Sequence, residues 1–121
     1  MAPQADPALR LNLRVVPLED DIAVVELEGD IDVYTAPMLL QTLEELQTRR
    51  IVIDLRNVSY LDSFGLGTFV KCLKNLQESG GSLRLVHCHW RIERLLSVTG
   101  LVNLFDLYQD RDAALKFAQA E

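Results

Sequence analysis

Apolar positions recur along this chain at two spacings, and the changes from one to the other mark its elements. "LNLRVVPL" (residues 11–18) and "IAVVELEGDI" (22–31) are β-rich runs separated by the acidic "EDD", which suits a hairpin with a short loop. In "APMLLQTLEELQ" (36–47), Leu39, Leu40, Leu43 and Leu46 recur at helical spacing while Glu44 and Glu45 fall on the other face. Thr35 stands at the N-cap of that helix, and Pro37 sits in a first turn, where proline is tolerated. "IVIDL" (51–55) is short, β-branched and almost wholly apolar, the pattern of a strand covered on both faces. "GLGTFVKCLKNLQES" (65–79) predicts a second helix with Leu66, Phe69, Val70, Leu73 and Leu76 on one stripe, ending at Gly80 and Gly81. Phe64 projects to the other side in that phase, with Thr68, Lys71 and Asn75, whereas an irregular first turn would fold its ring back under a neighbouring loop. "SLRLVHC" (82–88) follows as a strand, "RIERLLSVTG" (91–100) as a short helix closed by Gly100, and "LFDLY" (104–108) as a last strand. "DRDAALKFAQA" (110–120) is a final helix capped by Asp110.

The order is ββαβαβαβα, and after the opening hairpin strands and helices alternate. Such alternation needs crossovers between parallel strands, so the expected fold class is α/β: a mixed, mostly parallel sheet with an N-terminal hairpin and helices packed on it. Every helix then begins at the carboxyl end of the strand before it. Thr35, Ser63, Arg91 and the acidic loop "GDID" (29–32) should gather at one end of the domain, where open α/β sheets place their sites.

Composition narrows the function. The 121 residues suffice for one domain that buries roughly two thirds of its unfolded surface. We expect a mobile tail over residues 1–10 and a domain over 11–121. Twelve basic against eighteen acidic side chains give a net charge of -6, the wrong sign for a protein that concentrates on nucleic acid or anionic membranes. Cys72 and Cys88 form no CxxC pair, no apolar run is long enough for direct membrane insertion, and "MAPQADPALR" lacks the apolar stretch of a secretory signal. A cytoplasmic protein is expected.

The chemistry concentrates in "SYLDSFGLGTFV" (59–70), with an acid, a hydroxyl and an aromatic ahead of a glycine-punctuated apolar run. Ser63 reads either as the N-cap of the helix or as a residue that carries function. Gly65 and Gly67 are costly in a first helical turn, about 1 kcal/mol each against alanine, which points to close backbone approach or a face kept clear. The run lacks the Lys-Ser/Thr of a phosphate-binding P-loop and a full GxGxxG. Asp30, Asp32, Asp54 and Asp62 have no His or Cys at ligand spacing, so loop-capping acids are expected rather than a metal site. His87 and His89 flank Cys88 on an expected strand and would share a face, but two ligands do not close a zinc site. No G-x-S-x-G elbow surrounds Ser63, which speaks against a hydrolase.

These residues carry a family resemblance. "EGDIDVYTAP" followed by "IVIDLRNVSYLDSFGLGTFVKCLKNLQESGGSLRLV" resembles the STAS domains of bacterial anti-sigma factor antagonists. The resemblance implies that Ser63 is the phosphorylation site. It also implies that Gly29, Asp30, Asp32, Asp62, Gly65, Leu66 and Gly67 belong to the partner-binding surface, to which the outward phase of Phe64 adds that residue as an expected anchor. It implies no enzyme activity and no cofactor. The implied partners are an anti-sigma factor that is also a serine protein kinase, and a PP2C-type phosphatase that acts on the phosphorylated form. The position after the serine is usually small in that family and is Phe64 here. STAS scaffolds of stress-signalling assemblies can carry a bulky residue there, and accessory subunits of membrane-transport complexes form a further class. Neither would be controlled by Ser63.

Overall fold

The computed structural model describes residues 10–119. The tail expected over residues 1–10 therefore lies outside the described residues except for Arg10, whose carbonyl accepts the N–H of Asp30 at 2.6 Å. The elements are β1 (Leu11–Leu18), β2 (Ile22–Ile31), α1 (Ala36–Glu45), β3 (Arg50–Leu61), α2 (Ser63–Glu78), β4 (Ser82–Val86), α3 (Trp90–Val98), β5 (Asp106–Tyr108) and α4 (Arg111–Gln119), the expected order. The strands form one sheet in the order β1-β2-β3-β4-β5, with β1 antiparallel to β2 and the remaining pairs parallel. Asp20 and Asp21 take left-handed backbone (φ 62° and 57°) in the hairpin turn, a conformation that aspartate tolerates better than most residues.

Burial explains why the second and third strands are so apolar. On one face, α1, α2 and α3 pack Leu39, Leu43, Leu66, Phe69, Leu73, Ile92 and Leu96 against Val25, Leu27, Ile51, Ile53 and Leu85. On the other, Ala114 and Ala118 of α4 lie on Ile22, Val24, Val52 and Val86. Arg111 fastens the start of α4 to the sheet, donating to Glu26 Oε2 at 2.8 Å and Asp54 Oδ2 at 2.9 Å. The cap expected of Asp110 is present, its Oδ1 accepting the N–H of Ala113 at 2.8 Å.

Three local expectations are corrected. First, the strand expected over 51–55 runs on to Leu61, because two register shifts against β2 let an extra residue of β3 bulge out at each. Leu55, Val58 and Leu61 point inward three residues apart, which a two-residue alternation does not predict. Second, β4 stops at Val86, and His87 turns into left-handed backbone (φ 57°). His87 and His89 therefore share no strand face: His87 Nε2 takes a hydrogen bond from the Arg56 guanidinium at 2.9 Å, and His89 caps α3. Third, Thr68 is buried rather than exposed with Lys71 and Asn75; its hydroxyl donates to the carbonyl of Phe64 at 3.2 Å, which removes the cost of burying it.

Candidate functional site

The carboxyl ends of β2 and β3 lie side by side, and the N–H of Asp62 donates to the carbonyl of Ile31 at 3.1 Å. That bond joins the "GDID" loop to the "DSFGLG" turn. Each half is held by an aspartate acting on its own backbone. Asp32 Oδ1 accepts the N–H groups of Tyr34 (2.9 Å) and Thr35 (3.0 Å), folding the chain into α1. The Thr35 hydroxyl accepts the N–H of Asp32 and donates to the carbonyl of Asp30, each at 2.9 Å. Thr35 does stand at the N-cap, but its side chain makes no cap bond, and its hydroxyl serves the loop instead.

Asp62, not Ser63, caps α2. Its Oδ1 accepts from the N–H of Phe64 at 2.9 Å and of Gly65 at 3.0 Å, and its extended backbone (φ -107°, ψ -174°) is that of a cap. Ser63 is the first residue of the helix, exposed, with a hydroxyl that plays no part in the cap.

The glycines differ in kind. Gly29 has φ +116°, and a Cβ there would lie 2.0 Å from the carbonyl oxygen of Arg10. A Cβ on Gly65 would come within 2.5 Å of Ile31 Cγ2 and 2.6 Å of Leu61 Cδ1, so this glycine lets α2 start flush against the two strand ends. Gly67 has open space around it. Of the residues expected on the binding surface, Leu66 is in the core and Gly65 is buried, so neither offers side-chain surface. Asp30, Asp32, Asp62, Ser63 and Phe64 lie at the same end of the sheet, where β2 and β3 finish. Asp54 stands apart, paired with Arg111 on the α4 side, which splits the set of four aspartates.

Phe64 is 60% exposed and forms one wall of an apolar trough of about 480 Å³ between α1 and α2. Val33, Pro37 and Leu40 line the opposite wall, and Gly67 and Lys71 continue along α2. Tyr34, 78% exposed in the loop before α1, was not singled out from the sequence, nor was Val33. The available signal was two large apolar side chains in a strand-to-helix connection, where turns favour small polar residues. The geometry therefore brings an exposed hydroxyl at a helix start to the end of the sheet that also carries the acids and the apolar trough. Among the described residues there is no cluster of His, Cys, Asp and Glu of metal-binding form, and no helix is long and apolar enough to cross a membrane.

An antiparallel hairpin leading a parallel sheet, with the Asp62–Ser63 turn at its carboxyl end, is the layout of a STAS domain. The chain belongs to that family, whose match covers residues 14–114. It is 42% identical over 101 residues to the anti-sigma-B factor antagonist of Bacillus subtilis, covering 82% of this chain and 92% of that one. The anti-sigma-B factor antagonist of Staphylococcus aureus is 39% identical over 99 residues, covering 79% and 91%. Among solved structures, an anti-sigma factor antagonist from Mycobacterium paratuberculosis superposes with a TM-score of 0.81 at 29% identity, covering 96% of this chain and 99% of that one.

Proposed function

We propose that this STAS domain is an anti-sigma factor antagonist in a partner-switching cascade. With Ser63 unmodified it binds an anti-sigma factor that is also a serine protein kinase and so frees the sigma factor. The kinase then phosphorylates Ser63 with ATP and releases the domain, and a PP2C-type phosphatase resets the cycle. The domain is a substrate and a switch rather than a catalyst. The observation that carries this reading is the division of labour at the start of α2: Asp62 supplies the cap, which leaves the Ser63 hydroxyl exposed and available to a kinase. Anti-sigma-B factor antagonists at 42% and 39% identity support it.

The physics of the switch follows from the surroundings of Ser63. A phosphate on the first residue of a helix meets the positive end of the helix dipole, so the free domain tolerates it. Within an interface, an added charge of about -2 beside Asp62, at the end of the sheet that also carries Asp30 and Asp32, meets like charge while losing water. Such an uncompensated group costs on the order of 2–5 kcal/mol, or roughly 30- to several-thousand-fold in affinity.

Incubation with the cognate kinase and ATP should add one phosphate, and Ser63→Ala should prevent it while leaving the unmodified complex intact. Intact-mass spectrometry together with a binding titration reads both. A phosphate that persists in Ser63→Ala, or a complex indifferent to phosphorylation, would overturn the proposal.

A further inference from the structure

We propose that the cleft between β3 and α3 is a second docking site, and that its occupant is an acidic peptide segment of a protein partner bearing one or two aliphatic side chains. The cleft exists because the strands are unequal. The pairing of β4 with β3 ends at Val86 opposite Asp54, whereas β3 continues to Leu61, and α3 lies beside the overhang. A space of about 350 Å³ remains between them. Val58 and Leu61 from the strand and Ile92 and Leu95 from the helix give it apolar walls, and Tyr60, His89 and Arg91 complete its rim.

Charge identifies the occupant. Arg91 is stacked 5.3 Å over the centroid of the Trp90 ring, which holds its guanidinium fork in place for a carboxylate. Arg56, two residues upstream of Val58 and joined to His87 at 2.9 Å, extends the basic character of the strand wall. Arg94 is exposed on α3, and Glu93 is the only acid in that helix. On a chain of net charge -6, this basic edge contrasts with Asp30, Asp32 and Asp62 near Ser63. Tyr60 and Trp90 are 53% and 60% exposed, and side chains of this kind anchor protein interfaces. The aliphatic walls favour a peptide over nucleic acid or a lipid headgroup, because a phosphate gains nothing from them. The bulges of β3 make its free edge a poor template for strand addition, so side chains rather than a backbone ladder hold the segment.

Trp90 is the only tryptophan of the chain, so its emission reports on this site directly. The probe is a synthetic peptide of about twelve residues alternating Glu or Asp with Leu, titrated into the full-length protein. Matched peptides carry Gln and Asn, or Lys, in place of the acids. Oligothymidylate and phosphatidylglycerol vesicles form separate arms. The acidic peptide should change Trp90 emission and shift the amide resonances of residues 58–61 and 89–95. Arg91→Glu should weaken it at least about tenfold, as should Arg94→Glu to a smaller extent, and raised salt should act in the same direction. Ser63→Ala should bind the peptide unchanged, which separates this site from the proposed switch. Equal binding of the neutral peptide, tighter binding of oligonucleotide or vesicles, shifts that map elsewhere, or no response at millimolar peptide would each overturn the assignment.

Discussion

The carboxylate of Asp62 accepts the N–H of Phe64 at 2.9 Å, and that bond releases Ser63 from structural duty. Cap loss from Asp, Ser or Thr to Ala typically costs about 1 kcal/mol. Asp62→Ala should therefore lower unfolding stability by about 1 kcal/mol or slightly more, since two N–H groups lose their acceptor. Ser63→Ala should change it by less than about 0.5 kcal/mol, as an exposed substitution outside any bond network. Urea unfolding of both variants checks the assignment, and a larger loss from Ser63→Ala would return the capping role to the serine.

Much of this arrangement was legible in the sequence because the helices and the first halves of the strands keep regular periods. Leu39 and Leu43, then Phe69, Leu73 and Leu76, lie in the core as their spacing requires. What escaped is where regularity fails. The bulges in β3 replace a two-residue alternation by inward residues at 55, 58 and 61, so the strand looked as if it ended at Leu55. Asp62 and Ser63 are adjacent and both good caps, and composition does not say which dihedral angles each adopts. The trough was hidden because Val33 comes opposite Phe64 only after β2 and β3 are aligned in register.

Burial pushes the Cys72 thiol from an ordinary 9.0 up to about 11, with a further contribution from Glu44. Cys88 rises to about 12 for the same reason, with Glu93 adding to it. Both stay protonated in the fold after the unfolded chain has begun to ionise. The unfolded state then binds fewer protons than the native one, so stability falls as pH rises. Their contribution is intact below about pH 9 and is lost progressively through the folded values. Unfolding titrations at about pH 8 and about pH 10.5 should show the decline, and Cys72→Ala should make it shallower. Alkylation by iodoacetamide near neutral pH should be slow at both sulfurs, because the thiolate is the nucleophile.

Gly65 and Gly67 should respond oppositely to the same change. In Gly65→Ala the new methyl meets Ile31 and Leu61, and one of the contacts is the Ile31 carbonyl oxygen at 2.8 Å, which has little freedom to retreat. A loss of about 1–3 kcal/mol in stability is expected, the usual range for overpacking. In Gly67→Ala the methyl enters open space and removes the helix penalty of glycine, so stability should rise by up to about 1 kcal/mol. If Gly67 is kept for close approach of a partner along the trough, the same stabilised variant should bind the anti-sigma factor more weakly. Thermal unfolding and a binding titration on the two variants give four measurements. A Gly67→Ala protein that is more stable and binds normally would show that the open face has no such use.

Phe64 offers the sharpest test of the trough, because its ring forms the α2 wall of the space lined across from it by Val33, Pro37 and Leu40. Its exposure settles the phase of the first helical turn: the ring points away from the stripe of Leu66, Phe69 and Leu73 that fills the core. Removing an exposed ring leaves no cavity, so Phe64→Ala should alter folding stability by less than about 0.5 kcal/mol. A buried phenylalanine would instead cost about 3–5 kcal/mol. An aromatic beside Ser63 is well placed to anchor the proposed partner, and its loss should then cost at least about 1 kcal/mol of binding, about fivefold in affinity. Phe64→Leu should recover part of that loss, since it restores apolar area without the ring. Measuring stability and affinity on the same preparations separates the outcomes, and unchanged affinity in Phe64→Ala would remove the ring from the interface.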